Sequence, residues 1–247
     1  MESATVNSIN VADPQTWDGN VFLTFDVDWA PDGVLEDTIN LVEAAGTKAT
    51  WLLTHDTPLV ARLRENPDFE LGIHPNFNAM LQRKDGSARR TAEQTIGELM
   101  RIVPEAVTVR SHSMFQSSRL LDVFRNAGLL YDCNTFVPRS SEVTLRPWQH
   151  WNGLVKVPYF WEDDVHAIDM DNGSSAGWDV EPFLAHPGLR VFDFHPVHVA
   201  LNTEGMARYE SAREHHANAD RVNERRCTDE HRGTRVFLKR LLDRIAT

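Results

Sequence analysis

Cysteine is nearly missing from this chain: Cys133 and Cys227 are the only two in 247 residues. Two thiols exclude a disulfide framework and a zinc finger, and they fit a reducing compartment. No apolar run comes near the roughly 20 residues that a membrane-spanning helix needs. The opening MESATVNSINVADPQTW has neither the basic start nor the apolar core of a secretion signal, so a cytoplasmic protein is expected. Positive charge is also short, with 25 Lys and Arg against 36 Asp and Glu and a net charge of −11. Such a surface repels phosphate backbones and anionic lipid, so no nucleic-acid partner and no membrane insertion are expected. The oligomeric state leaves no mark on the sequence. Internal repeats, low-complexity tracts and long linkers are absent too. Residues 1–247 therefore read as one domain, with a core at 20–200 and C-terminal helices over 206–246.

What is present is an alternation of short β-rich runs and helical stretches, the pattern of parallel strands joined by helices. Strands are expected at 21–26, 48–54, 69–74, 106–110, 130–135, 154–159 and 191–195. Helices are expected at 33–45, with Gly46 just past the end, and at 91–103, where Thr91 and Gln94 stand in capping-box spacing. Two more are expected at 118–127, followed by Gly128, and at 234–246, an amphipathic helix packed outside the sheet. The basic stretch 221–226 reads as a solvated helix face. Seven strands with outer helices predict an α/β fold, a distorted (β/α)7 barrel.

The chemistry-bearing residues gather at strand ends. Asp26 and Asp28 end the first strand, His74 the third, Arg110 and His112 the fourth, Glu162 and Asp163 the sixth and His195 the seventh. In a parallel barrel all those ends open onto one face, which carries the active site. Alternation along the strand puts Asp26 and Asp28 on one side, and two close carboxylates call for a cation or a shared proton. One suits a metal, the other a proton from the metal's water; an Asx turn into the next helix is the plain alternative. His74 is a candidate imidazole ligand, with Asn78 four residues on as a weaker oxygen donor. Arg110 and His112 are expected on one strand face, the arginine placed to hold a carboxylate by a bidentate bond. His195 is a candidate general acid, supported from the loop by His198. Glu162 and Asp163 form an acidic rim, and Trp29, Trp161 and Trp178 are candidate platforms for sugar rings.

These motifs, in this order over residues 20–200, resemble the polysaccharide deacetylase family (carbohydrate esterase family four, the NodB-homology domain). The resemblance rests on Thr24-Phe25-Asp26, Gly72-Ile73-His74, the strand-ending Arg110 and the late His195. His-Pro-Asn-Phe-Asn, Arg-Ser-His-Ser, Phe-Trp-Glu-Asp-Asp and Phe-His-Pro-Val-His look like the WbmS-like branch found in O-antigen biosynthesis. The family's fold is a distorted seven-stranded (β/α) barrel. By resemblance, Asp26 is the catalytic base, Asp28 and His74 are metal ligands, Arg110 orients Asp26, and His195 is the acid. The implied function is metal-dependent removal of an N-acetyl or other N-acyl group from an amino-sugar glycan or activated sugar precursor. Zinc is the first choice, then cobalt, nickel or manganese. Glu162, Asp163, Trp29, Trp161 and His198 are expected at the substrate.

Two departures stand out. Val27 separates aspartates that the family usually has adjacent, and Asn78 occupies the place of the second metal histidine. Either Asn78 ligates through its oxygen, or His112 supplies the missing imidazole, or the metal is lost; Asn78 is taken first. Loss of the metal would leave a non-catalytic sugar-binding descendant. A haloacid-dehalogenase-type phosphatase also begins with Phe-Asp-Val-Asp, but it uses magnesium without histidine and usually has Thr or Val where Ala30 stands.

Overall fold

The computed structural model describes residues 1–81 and 91–246. Among these, ten strands form one sheet: β1 (Ser3–Ala4), β2 (Val21–Asp26), β3 (Ala49–Leu53), β4 (Phe69–Ile73), β5 (Thr108–Val109), β6 (Tyr131–Asp132), β7 (Trp148–Gln149), β8 (Val155–Lys156), β9 (Trp161–Glu162) and β10 (Arg190–Phe194). Their order is β7-β8-β6-β5-β4-β3-β2-β10-β9, with β1 beside the first half of β2. Every pairing is parallel except β7 with β8. Single bridges join Phe136 to Tyr159 and Leu145 to Gly188, so the sheet curls into an incompletely closed barrel.

All seven expected strands are present, and β2 has the expected bounds. β2 and β3 are buried at every residue, as strands covered on both faces must be. The sixth strand needs correction. It stops at Lys156, and Glu162 stands on a separate strand, β9, while Asp163 opens the helix Asp163–Asp171. Pro158 lies between the two pieces and has no N–H to donate, which breaks the ladder. Gly72 is required by close approach: a Cβ there would stand 2.6 Å from the Thr108 carbonyl oxygen.

The expected helices are found at Asp32–Ala44, Ala92–Ile102, Ser118–Asn126 and Thr234–Ile245. The capping box forms, with Gln94 N donating to Thr91 Oγ1 at 3.2 Å and Thr91 N to Gln94 Oε1 at 3.0 Å. The last helix buries Phe237, Leu238, Leu241 and Leu242, and Phe237 reaches the rings of Phe192 and Phe194 on β10. Phe237 stacks on Trp161 with ring centres 4.4 Å apart. Trp161 is thereby a core residue and not a sugar platform, as is Trp178, which packs edge-on against His166. The stretch 221–226 is solvated only in part. Arg221 is exposed, but Arg226 turns inward to the Ala200 carbonyl at 2.7 Å and to Asp37 at 3.0 Å. Asp37 also binds Arg235, so one carboxylate ties the first long helix to the last. No helix of the described residues is long and apolar enough to cross a membrane.

Candidate active site

At the C-terminal end of the barrel the chain leaves β2 through a tight turn. Asp28 and Trp29 both adopt positive φ, 45° and 55°. Trp29 N donates to Thr54 Oγ1 (3.0 Å) and Val27 N to the Leu52 carbonyl (3.1 Å), which pins this turn to β3. Asp26 and Asp28 do face one cleft, but the left-handed turn brings Asp28 there, since β2 ends at Asp26. Likewise β5 ends at Val109, and His112 reaches the cleft from a 3-10 turn rather than from Arg110's strand face.

Asp26 is buried, and its Oδ1 accepts from Arg110 Nη1 at 3.0 Å. The same nitrogen donates to Thr24 Oγ1 at 3.0 Å and to Asp193, while Arg110 Nε donates to the Cys133 carbonyl at 3.1 Å. The Tyr159 ring lies over the guanidinium at 4.4 Å. Burial alone would lower the Arg110 pKa, but Asp193 and Asp26 outweigh it and the group stays firmly charged. Asp193 was not foreseen. Its signal was its place two residues before His195, on the same face of a buried strand.

Next to this ion cluster three donor atoms form a triangle. His112 Nδ1 lies 2.9 Å from Asp28 Oδ1, His74 Nε2 lies 3.2 Å from the same oxygen, and the two nitrogens are 3.4 Å apart. Bonds of about 2.0–2.1 Å to a tetrahedral ion put neighbouring donors about 3.3 Å apart, so these residues fit a single metal ion. His74 Nδ1, 3.3 Å from Asp26 Oδ2, has no well-aligned hydrogen-bond partner. Burial pushes the Asp28 carboxyl up, but hydrogen bonds from His112 and His74 hold it well below the usual range. Asn78 has a different partner: its amide nitrogen donates to Ser113 Oγ at 3.4 Å.

His195 faces the cleft from the other side, with Nε2 3.8 Å from Asp28 Oδ2. Its Nδ1 is 2.7 Å from Asp163 Oδ1, and its backbone N–H donates to Asp163 Oδ2 at 2.8 Å. Burial opposes the charge on His195, but Asp163 outweighs it and keeps the imidazole protonated well above its ordinary pKa. Asp163 is fully buried beneath the ring, so it supports the histidine and is no sugar contact. His198 is corrected for the same reason: it is buried, stacked on Tyr209 at 4.5 Å and bonded to Thr203 Oγ1 at 3.0 Å. Of the other expected substrate contacts, Trp29 is 46% exposed beside His112, and Glu162 lines the cleft and accepts from the Tyr159 hydroxyl at 3.1 Å. Burial and the neighbouring Asp164 push the Glu162 carboxyl well above the usual carboxylate range. The cleft encloses about 300 Å³.

The sign of the His195 shift gives a test. A histidine whose folded pKa is raised stabilises the fold fully below its unfolded pKa, and that contribution is lost as pH rises through the folded value. Asp163→Asn removes the raising charge. The alkaline limb of the pH–rate profile is expected to move down by about 1–3 pH units. An unmoved limb in a folded variant would show that another group carries that titration.

The fold and this centre define an incompletely closed (β/α) barrel with carboxylates and imidazoles meeting at its C-terminal face. A sequence profile described as WbmS-like polysaccharide deacetylase matches residues 23–213, more than half of the chain. A crystal structure from Bordetella bronchiseptica, described as a polysaccharide deacetylase involved in O-antigen biosynthesis (WbmS), is 42% identical, with 98% of each chain covered and a TM-score of 0.89. A polysaccharide deacetylase from Mycobacterium smegmatis shares the fold at 15% identity, over 99% of this chain and 94% of its own, with a TM-score of 0.53. No curated protein matches the sequence. The chain belongs to the WbmS-like polysaccharide deacetylase family. That membership leaves the phosphatase reading without support.

Proposed function

We propose that the protein removes an N-acetyl or similar N-acyl group from an amino sugar of a surface-polysaccharide precursor, using one divalent metal ion held by Asp28, His74 and His112. The observation that carries this reading is the donor triangle, flanked by Asp26 on one side and His195 on the other. Polar atoms of Asp26, Asp193 and His195 all lie within 4.8 Å of one another, so a base and an acid can serve one scissile bond. Family membership and the O-antigen role described for the Bordetella protein support the substrate class.

Two nitrogens and one oxygen suit zinc first, with cobalt, nickel or manganese set by geometry and availability. When bound, such an ion polarises the acyl carbonyl and makes water more acidic. Asp26, oriented by Arg110, accepts the proton of the attacking water. His195 donates its proton to the sugar nitrogen as the C–N bond breaks, releasing a carboxylic acid and an amine. Trp29 at the rim and Glu162 in the wall serve the sugar ring.

Metal analysis of the purified protein, paired with acetate release from N-acetylated glycans, tests the proposal. Folded protein that takes up no zinc, cobalt or nickel would end the hydrolase reading. It would leave the metal-free sugar-binding descendant as the remaining reading, whereas metal uptake without acyl release would put the substrate class in question. The third ligand is decided by comparing His112→Ala with Asn78→Ala. His112→Ala is expected to weaken metal binding by at least about 100-fold, beyond the roughly 10–100-fold that outer partners cost. Asn78→Ala is expected to change it little, contrary to the order of preference taken from the sequence. The reverse ranking would return the ligand to Asn78.

A further inference from the structure

Behind the His112 turn lies a closed ring of polar side chains that the proposed chemistry leaves unused. Lys156 and Asp132 are both buried, and Lys156 Nζ donates to Asp132 Oδ2 at 2.7 Å. Asp132 Oδ1 accepts from Asn134 Nδ2 at 2.7 Å and from its backbone N–H at 2.9 Å. Asn134 then reaches the turn at its start, its Oδ1 accepting from Ser111 N at 2.8 Å. Gln116 closes the ring at the far end of the same turn. Its Nε2 donates to the Asn134 carbonyl at 3.2 Å, and its Oε1 accepts from Lys156 Nζ at 3.2 Å.

A buried lysine–aspartate pair is a poor way to gain stability, because desolvation cancels much of the attraction. What this pair does geometrically is bracket residues 111–116 at both ends. The bracketed turn needs such support: Ser113 and Met114 hold positive φ of 58° and 51°, which side chains other than glycine adopt only under constraint. On the opposite side, His112 N donates to the Pro75 carbonyl at 3.0 Å, one residue beyond His74. His112 is therefore held between the ring from β6 and β8 and the segment that carries the other imidazole.

We infer that Asn134, Asp132, Lys156 and Gln116 are positioning residues, a polar clamp that fixes His112 at metal-ligand distance from His74 and Asp28. The inference rests on the metal reading above. Groups that hold a ligand in place commonly account for 10–100-fold in metal affinity.

Cobalt titration of Asn134→Ala and Gln116→Ala, each with and without His112→Ala, tests the clamp through affinity and the visible absorption of the bound ion. Asn134→Ala is expected to weaken cobalt binding by about 10–100-fold and to alter the spectrum. Gln116→Ala, at the exposed end of the ring, is expected to do the same to a smaller extent, and it serves if Asn134→Ala does not fold. In the His112→Ala background neither change is expected to add to the loss, since the clamp then has no ligand to hold. Wild-type affinity and spectrum in the folded clamp variants would overturn the inference. So would an equal loss with and without His112, which would mean general loosening of the barrel. A wild-type protein that binds no cobalt would remove the metal reading, and the clamp with it, whereas normal wild-type binding with unaffected variants removes the clamp alone.

Discussion

Arg110→Met is expected to destabilise the fold by about 3–5 kcal/mol at neutral pH, the cost of leaving buried charge without its partner. Arg110 is 1% exposed and touches Asp26, Asp193, Thr24 and the Cys133 carbonyl, and methionine keeps only part of its volume. Two buried carboxylates would remain, with Thr24 Oγ1 as the remaining donor to Asp193 at 2.8 Å. Buried carboxylates without a cation bind protons more tightly than in the unfolded chain. Their folded pKa values are then raised, so the variant is least penalised below about pH 4 and loses stability as pH rises through those values. Denaturant unfolding at pH 5 and pH 8 checks both magnitude and sign. A loss under about 1 kcal/mol, or one that does not grow with pH, would show that the cluster does not depend on this cation.

Asp26→Asn is expected to cut turnover by about 10²–10⁴-fold, the range for removal of a general base. The change keeps the side chain's shape and an oxygen for Arg110, so the fold should survive it. Asp26 is outside the donor triangle and touches it only through His74 Nδ1 at 3.3 Å, so metal content should fall far less than turnover. Single-turnover acyl release measured beside metal content separates the two effects. Near-native turnover would move the base to another carboxylate of the cleft, and loss of the metal would make Asp26 a ligand or its close support.

The elements legible in the sequence are those with a repeating pattern. β2 and β10 are short runs rich in valine and phenylalanine, and the helix Ala92–Ile102 announces its start through Thr91 and Gln94. The strands that were missed, β1, β7 and β9, are two residues each and lie outside the longer apolar runs that marked the equally short β5, β6 and β8. Asp28, His74, His112 and His195 were visible as polar residues ending apolar strands. The residues that hold them were not. Asp163 read as a rim acid because it sits beside Glu162 in the chain, yet its partner His195 is 32 residues away. Trp161 and His198 read as sugar contacts from their residue types, and the core took both.

Alternating hydrophobic runs and helix-capping residues in this sequence determined a parallel α/β barrel with its functional groups on one face. They did so because strand and helix periods are local properties of the chain. Tertiary structure decided which polar groups meet. The meeting of His112 with Asp28 and His74 depends on left-handed turns at Asp28 and at Ser113 and on where β4 and β5 end. The sharing of Arg110 between Asp26 and Asp193 joins positions 84 and 83 residues apart. Contacts of that separation exist only once the strands are registered, because direction and distance between side chains on different strands are set by the sheet and not by spacing along the chain.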